Sequence, residues 1–347
     1  MKQKFTICIA LLLCLALALG LTACGADDRE ASAQLFALGA LIDLKAYGRD
    51  GEKAVADAGA ALTSISDLTD PENERGSVYQ INHADGAPVA VNAQIAAMIQ
   101  TAQTVSANTD GALDLTVYPL LEAWGFLDEN YRVPEDAELA ALLAHVGMDK
   151  LSLAPDQENG GYLAAAAAGT RITLACVARG AASNAAINAM RADGVKSGLV
   201  SMSGSVQTLG TKPDGSRWNI AVMDPNNAGA YIGYLSVGET AVVTSASTDR
   251  SFTQRGALYH HILNPANGEP ANSGLKSVTI VCADAQLADC LSTALFVRGE
   301  RAALQYWRDY GGFEMLLITN DGRAVLTDGL YGVFTQSGGD YTVSYVK

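Results

Sequence analysis

Apolar residues recur at helical spacing in several parts of the chain. Val55, Ala58, Leu62 and Ile65 lie three or four apart within Lys53–Leu68, which predicts a helix. Ala93–Ala107 repeats the pattern through Ile95, Met98, Ile99 and Ala102. A third helix is predicted from about Pro134 to His145, with Pro134 at a position typical of a first helical turn. Ala285–Arg298 predicts a helix stopped by Gly299, and Arg301–Tyr310 predicts another. Strand-like runs are Leu35–Tyr47 (interrupted by a glycine), Ile172–Leu174, Gly198–Met202, Trp218–Met223, Tyr231–Val237, Ala241–Val243 and Lys276–Ala283. Phe313–Thr319 and Ala324–Thr327 are joined by N-D-G at Asn320–Gly322, a hairpin signal. Thr69–Gly76 is a polar loop, and the Ala-rich stretch Gly160–Gly169 reads as a loop or turn. Helices and strands interleave, so the fold class is α/β or α+β. No repeat and no linker divides the chain after residue 35, which predicts a single compact domain over 35–347.

The N-terminus has a different pattern. Lys2 and Lys4 precede an uncharged run, Phe5–Leu21, that ends in L-T-A-C, Leu21–Cys24. This arrangement resembles the lipobox of bacterial lipoproteins. The resemblance implies a signal peptide over 1–23, a diacylglycerol on the Cys24 thiol, and an extracytoplasmic protein lipid-anchored to the bacterial cell membrane. Acyl chains bury about 0.8 kcal/mol per CH₂, so two of them anchor stably. An ordinary secretory signal and an uncleaved anchor helix are the alternatives. Residues 24–34 would be the lipidated Cys and a small polar tether. Cys8 and Cys14 would leave with the signal. Cys176, Cys282 and Cys290 remain, an odd number that implies no disulfide framework, and they are expected as buried thiols.

Composition then removes several classes. With 49% hydrophobic and 17% charged residues among 347, the chain is too apolar for disorder. Its 23 Lys+Arg against 37 Asp+Glu give −14, and loss of Lys2 and Lys4 would make that −16. No stretch clusters cations, so a nucleic-acid partner is not expected. One membrane-length apolar run excludes a polytopic membrane protein.

Four constellations could carry chemistry. In T-D-G-A-L-D-L-T-V-Y-P-L-L-E-A-W-G-F, Thr109–Phe126, Asp114 and Thr116 would share one side of an extended segment, and the backbone beside Gly111 could approach a flat ligand. The plainer reading is a loop and strand with Trp124 and Phe126 in the core. In I-T-L-A-C-V-A-R-G, Ile172–Gly180, a strand would feed a glycine and a helix over Ala181–Met190, with Arg179 adding charge for an anion. T-S-A-S-T-D-R-S-F, Thr244–Phe252, is followed by Y-H-H-I-L-N-P-A-N-G-E-P, Tyr259–Pro270. His260 and His261 there could shuttle protons or could simply alternate in and out on a strand. In A-D-A-Q-L-A-D-C-L-S-T-A-L, Ala283–Leu295, Asp289 and Thr293 stand i and i+4 on one helix face. They are hard oxygen ligands suited to Mg²⁺ shared with phosphates, or an acid near a helix N-terminus beside an exposed Thr.

Together, in this order, the segments resemble the ApbE family of FAD:protein FMN transferases. Its most specific matches are G-A-L-D-L-T-V-Y-P-L-L-E-A-W-G-F, H-I-L-N-P-A-N-G and A-D-C-L-S-T-A-L. The resemblance implies a T-fold-like α/β domain that splits FAD with Mg²⁺ and transfers FMN to a Thr hydroxyl, releasing AMP. The acceptors it implies are flavoprotein subunits of Na⁺-translocating NADH:quinone reductase or Rnf type complexes. By position, Asp289, Thr293 and the Cys176 carbonyl would hold Mg²⁺. Leu38, Ala112, Leu113, Asp114, Thr173, Arg179 and Leu263 would line the FAD site, and His261 would be the general base. Family carboxylates are replaced at Thr173, Asn184, Ser205, Ser247 and Asn264, and a Lys is replaced by Arg179. Such losses predict weakened FAD binding, which leaves a non-catalytic FAD- or partner-binding lipoprotein and an FAD pyrophosphatase as rivals. A solute-binding lipoprotein for an unrelated ligand fits the leader but not the order of motifs.

Overall fold

A computed structural model describes residues 28–347, so the leader and Cys24 lie outside the described residues. Nine strands form the main sheet, in the order Glu30–Ala37, Ala40–Tyr47, Ser197–Met202, Ser205–Leu209, Ala241–Ala246, Leu275–Cys282, Glu314–Thr319, Arg323–Thr327 and Thr342–Val346. Neighbours run antiparallel, except the last pair, which is parallel. Helices Gly51–Thr69, Ala93–Asn108, Ala175–Ala192 and Ala285–Arg298 bury their apolar residues in one core with one face of this sheet. A three-stranded sheet, Phe334–Gln336, Tyr231–Val237 and Trp218–Met223, covers the other face. Glu314–Thr319 shows why its sequence is nearly all apolar. Met315 and Leu317 enter the helical core, whereas Leu316 and Ile318 enter the second core. Side chains alternate along a strand, so a strand covered on both faces needs apolar residues throughout.

The helices predicted at Lys53–Leu68, Ala93–Ala107 and Ala285–Arg298 are present, as is the Asn320–Gly322 hairpin. The third predicted helix is shorter, Asp136–Leu143. Other expectations are corrected. Leu35–Tyr47 is not one broken strand. It is a hairpin turning at Leu38 and Gly39, both at positive φ (53° and 67°) between the paired Ala37 and Ala40. Two such residues make the turn type that suits a tight hairpin. Its first strand starts at Glu30, so residues 30–34 are paired backbone. Ile172–Leu174 forms no strand. The Asn82 side chain binds the Ile172 backbone N–H and C=O, and the Thr173 N–H donates to the Leu115 carbonyl. Ala-rich Tyr162–Ala166 is a strand, paired with Val89–Val91 on one side and Leu151–Pro155 on the other. Alanine's small side chain hid it among the glycines.

Candidate active site

Main-sheet strand ends, the Leu38–Gly39 turn and residues of four helices, Gly51–Thr69, Tyr118–Ala123, Ala175–Ala192 and Ala285–Arg298, surround a cleft of about 970 Å³. Leu38, Ala112, Leu113, Asp114, Thr173, Cys176, Arg179, His261, Leu263, Asp289 and Thr293 all line it.

The helical wall depends on one close approach. Gly180 lies inside the helix Ala175–Ala192, not before a helix as the sequence reading had it. A Cβ there would run into the Ala285 carbonyl, so only glycine lets this helix meet Ala285–Arg298. Contact brings the Gly180 N–H to Asp289 Oδ2 at 2.9 Å, and the Arg179 N–H also favours that carboxylate. In a regular helix the Gly180 N–H serves the carbonyl four residues back, that of Cys176. Here the carboxylate shares that donor. Asp289 is only 7% exposed and has no ion pair among the described residues. Burial pushes its pKa up to about 6, against the pull of those N–H groups. Hydroxyls gather beside it. Ser245 Oγ lies 2.8 Å from Ser292 Oγ and 3.2 Å from Thr293 Oγ1.

No three His, Cys, Asp or Glu side chains form a metal cage among the described residues. The set of one buried carboxylate, clustered hydroxyls and a carbonyl with a shared donor nevertheless fits a hard divalent ion that takes its remaining oxygens from phosphate and water. Cys176 is partly exposed, unlike buried Cys282 and Cys290. Burial and then Asp289 push its thiol well above the ordinary range, so its sulfur stays protonated. Any contribution to an ion would come from its backbone.

The opposite wall hangs from a hairpin, Ser251–Gln254 paired with Ala257–His260. Pairing of Ser251 with His260 places the residues just outside the strands side by side. His261 Nδ1 thus lies 2.8 Å from the Asp249 carbonyl. A carbonyl only accepts, so Nδ1 carries the proton and Nε2 keeps its lone pair. Burial, reinforced by Arg250, His260 and Arg179, lowers the His261 pKa to about 4, and the ring is neutral at pH 7. His260 is buried, edge-on to Phe296 at 5.5 Å. Stacked rings brace the hairpin from below. Phe252 lies 5.2 Å from Tyr131 and 5.2 Å from Tyr259, and Trp124 lies 5.4 Å from Tyr259.

Asp114 and Thr116 do not share a face of an extended segment. Asp114 Oδ1 accepts from the Thr116 N–H at 2.8 Å and from the Thr116 hydroxyl at 2.6 Å, which closes a turn. Thr116 is fully buried, and its oxygen takes the Gly147 N–H at 2.7 Å. The segment then enters a short helix, Tyr118–Ala123, not a strand.

Of the five replaced carboxylate positions, only Thr173 lines the cleft. Asn184 instead joins two helices. It donates to Asp284 at 2.7 Å and accepts from the Ala285 N–H and Gln207. Missed by the sequence reading were Ser245, Asp249, Arg250 and Tyr118, which also line the cleft. The first three stand in the stretch already singled out, Thr244–Phe252, but nothing in it showed which residues would turn inward.

A model described as the ApbE family matches residues 38–317. The FAD:protein FMN transferase of Klebsiella pneumoniae is 29% identical over 303 residues, covering 87% of this chain and 93% of that protein. The one of Treponema pallidum is 26% identical over 341 residues, 93% of each. Among solved structures, the ApbE protein from Thermotoga maritima is similar with a TM-score of 0.81 at 29% identity, covering 88% of this chain and 99% of that one. The flavin transferase ApbE from Vibrio cholerae shares the fold, with a TM-score of 0.76 at 24% identity, 88% of this chain and 99% of that one.

Proposed function

The chain belongs to the ApbE family, and from that footing we propose that it is an FAD:protein FMN transferase, moving FMN from FAD to a Thr hydroxyl of an acceptor protein. The observation that carries this reading is the meeting of a neutral histidine and a buried oxygen-rich wall across one cleft. His261 Nε2 takes the proton of the accepting hydroxyl. The Thr oxygen forms its bond to the FMN phosphorus. The bond from that phosphorus to the bridging oxygen breaks, and AMP leaves with that oxygen. Asp289, Thr293 and the Cys176 carbonyl would hold Mg²⁺, which when bound neutralises pyrophosphate charge. Leu38, Ala112, Leu113 and Leu263 offer an apolar lining for the flavin. Asp114 uses its carboxylate within its own turn, so in this reading it shapes the lining and leaves ligation to others.

The proposal extends to location. Cys24 would carry the lipid anchor and hold the enzyme on the extracytoplasmic face, where acceptor subunits of Na⁺-translocating NADH:quinone reductase or Rnf type complexes would meet it. The loss of family carboxylates weighs less against turnover than the sequence suggested, because four of the five positions lie off the cleft.

The test incubates the full chain with FAD, Mg²⁺ and a Thr-containing acceptor. A fluorescent flavin band on a denaturing gel, lost in Asp289→Ala, supports the transferase. AMP release without a band identifies an FAD pyrophosphatase. FAD binding without AMP identifies a non-catalytic binder.

A further inference from the structure

The cleft is mostly acidic around its rim and floor. Asp70, Glu72, Glu122 and Asp128 line it, in a chain of net charge −14. Only two of its lining residues, Arg179 and Arg250, carry a permanent positive charge. They do not sit at opposite ends. Both act on His261 and both act on Asp249, so the positive charge is concentrated beside the base. Neither makes an ion pair among the described residues, and Arg179 donates only to the Ser203 carbonyl, at 3.4 Å. Arg179 directly precedes Gly180, whose N–H meets Asp289, whereas the Arg250 guanidinium reaches the Gly39 turn, which orders them from the helical wall to the rim.

Arg250 is aimed rather than loose. Its backbone is in the left-handed region, φ 41°, uncommon for a residue with a side chain. Its guanidinium crosses to the opposite rim, where a Cβ on Gly39 would lie 2.9 Å from Nη2. Strained residues of this kind persist where the surroundings hold them, often at ligand clamps. Arginine offers a planar fork matched to phosphate oxygens.

We propose that Arg250 and Arg179 form a two-guanidinium clamp for a diphosphate, Arg179 on the Asp289 side and Arg250 at the mouth. The inference rests on the transferase reading and deepens it. The clamp makes the site select a dinucleotide over a neutral flavin, and it supplies positive charge that the family pattern draws from a single Lys at the position of Arg179. It is a binding device that works without the metal.

The test is calorimetric, on the full chain in EDTA, with inorganic pyrophosphate, ADP, FAD and riboflavin as probes. Wild type should bind pyrophosphate, ADP and FAD with affinities that fall as salt rises. Arg250→Gln should weaken all three by about tenfold or more, the loss expected for a charge-assisted contact, and leave riboflavin binding unchanged. Arg250→Lys should recover part of it. Unchanged pyrophosphate affinity in Arg250→Gln, or an equal loss for riboflavin, overturns the clamp. Thermal unfolding of each variant separates a binding loss from a folding defect, and a Gln variant that melts early transfers the decision to Arg250→Lys. Pyrophosphate binding without any flavin transfer by wild type sinks the transferase reading and leaves the clamp standing.

Discussion

On one side of the cleft, Asp289 and Thr293 ride on a helix packed against another helix and the main sheet, with a glycine as the only residue that permits the contact. On the other side, Asp249, Arg250 and His261 hang from a two-stranded hairpin outside that sheet, braced by a separate aromatic cluster. The helical wall keeps a carboxylate where burial resists its charge. The hairpin wall holds one exposed cation, Arg250, and a histidine tied through one backbone hydrogen bond. A carboxylate proposed to hold a divalent ion would profit from rigidity, because such an ion's ligands need fixed geometry. Groups that meet two successive substrates profit from an attachment that can yield.

The largest expected effect tests the helical wall. Asp289→Asn should lower flavin transfer by about 10³-fold, as expected if removing the one charged ligand proposed for Mg²⁺ removes the ion's electrostatic contribution. Its amide oxygen can still accept from Gly180, so the fold should survive. His261→Gln should cost about 10²-fold, through loss of the base alone. A melting temperature that drops sharply in Asp289→Asn would break the contrast, since the residue would then be structural first.

The two walls should also respond to acid with opposite sign, measured on metal-free protein. The Asp289 pKa is raised to about 6, so between that pH and the ordinary carboxylate range the folded state binds more protons than the unfolded. Its burial penalty is relieved as pH falls through that window. The His261 pKa is lowered to about 4, so from its ordinary value of about 6.5 down to 4 the unfolded state binds more protons. Stability from that group is lost as pH falls. Melting temperature plotted against pH should therefore fall more steeply in Asp289→Asn than in wild type, and less steeply in His261→Gln. Parallel curves for all three would refute both assignments.

Gly180→Ala should destabilise by about 1–3 kcal/mol, because the added methyl must push two helices apart. Urea unfolding would show a lower midpoint at unchanged slope. Phe252→Leu touches only the other wall. It removes stacked contacts with Tyr131 and Tyr259, worth about 0.5–1.5 kcal/mol. Hydrogen exchange should quicken in residues 251–260 with no change in the main sheet.

Sequence reading was uneven across the same two walls. The helix Ala285–Arg298 is legible because its signals are local: a capping Asp284, an apolar repeat and a stopping Gly299. Asp289 and Thr293 follow at once from helical spacing. What buries Asp289 is not legible, because the contact with Gly180 joins residues 109 positions apart. Leu38 was placed by resemblance, but the turn that carries it was missed, since leucine at positive φ violates the local preference a sequence reader relies on. Ile172–Leu174 was apolar enough for a strand, yet the Asn82 side chain took its backbone groups. The hairpin of Ser251–His260 lacked an Asn-Gly or Asp-Gly signal and went unread, and Arg250 with it.

Asn184 sharpens the point about resemblance. As a replaced carboxylate it counted against activity, yet it faces the N-terminus of a helix rather than the cleft. Restoring the acid in Asn184→Asp would set a carboxylate against Asp284, 2.7 Å from the atom that now donates to it. The pair is partly solvated, so the cost should be about 0.5 kcal/mol, with FAD affinity and turnover unchanged. Thermal unfolding beside the flavin-band assay reads both quantities. A rise in transfer activity would mean that charge at this distance reaches the cleft after all, and that the helical wall is less insulated than its packing implies.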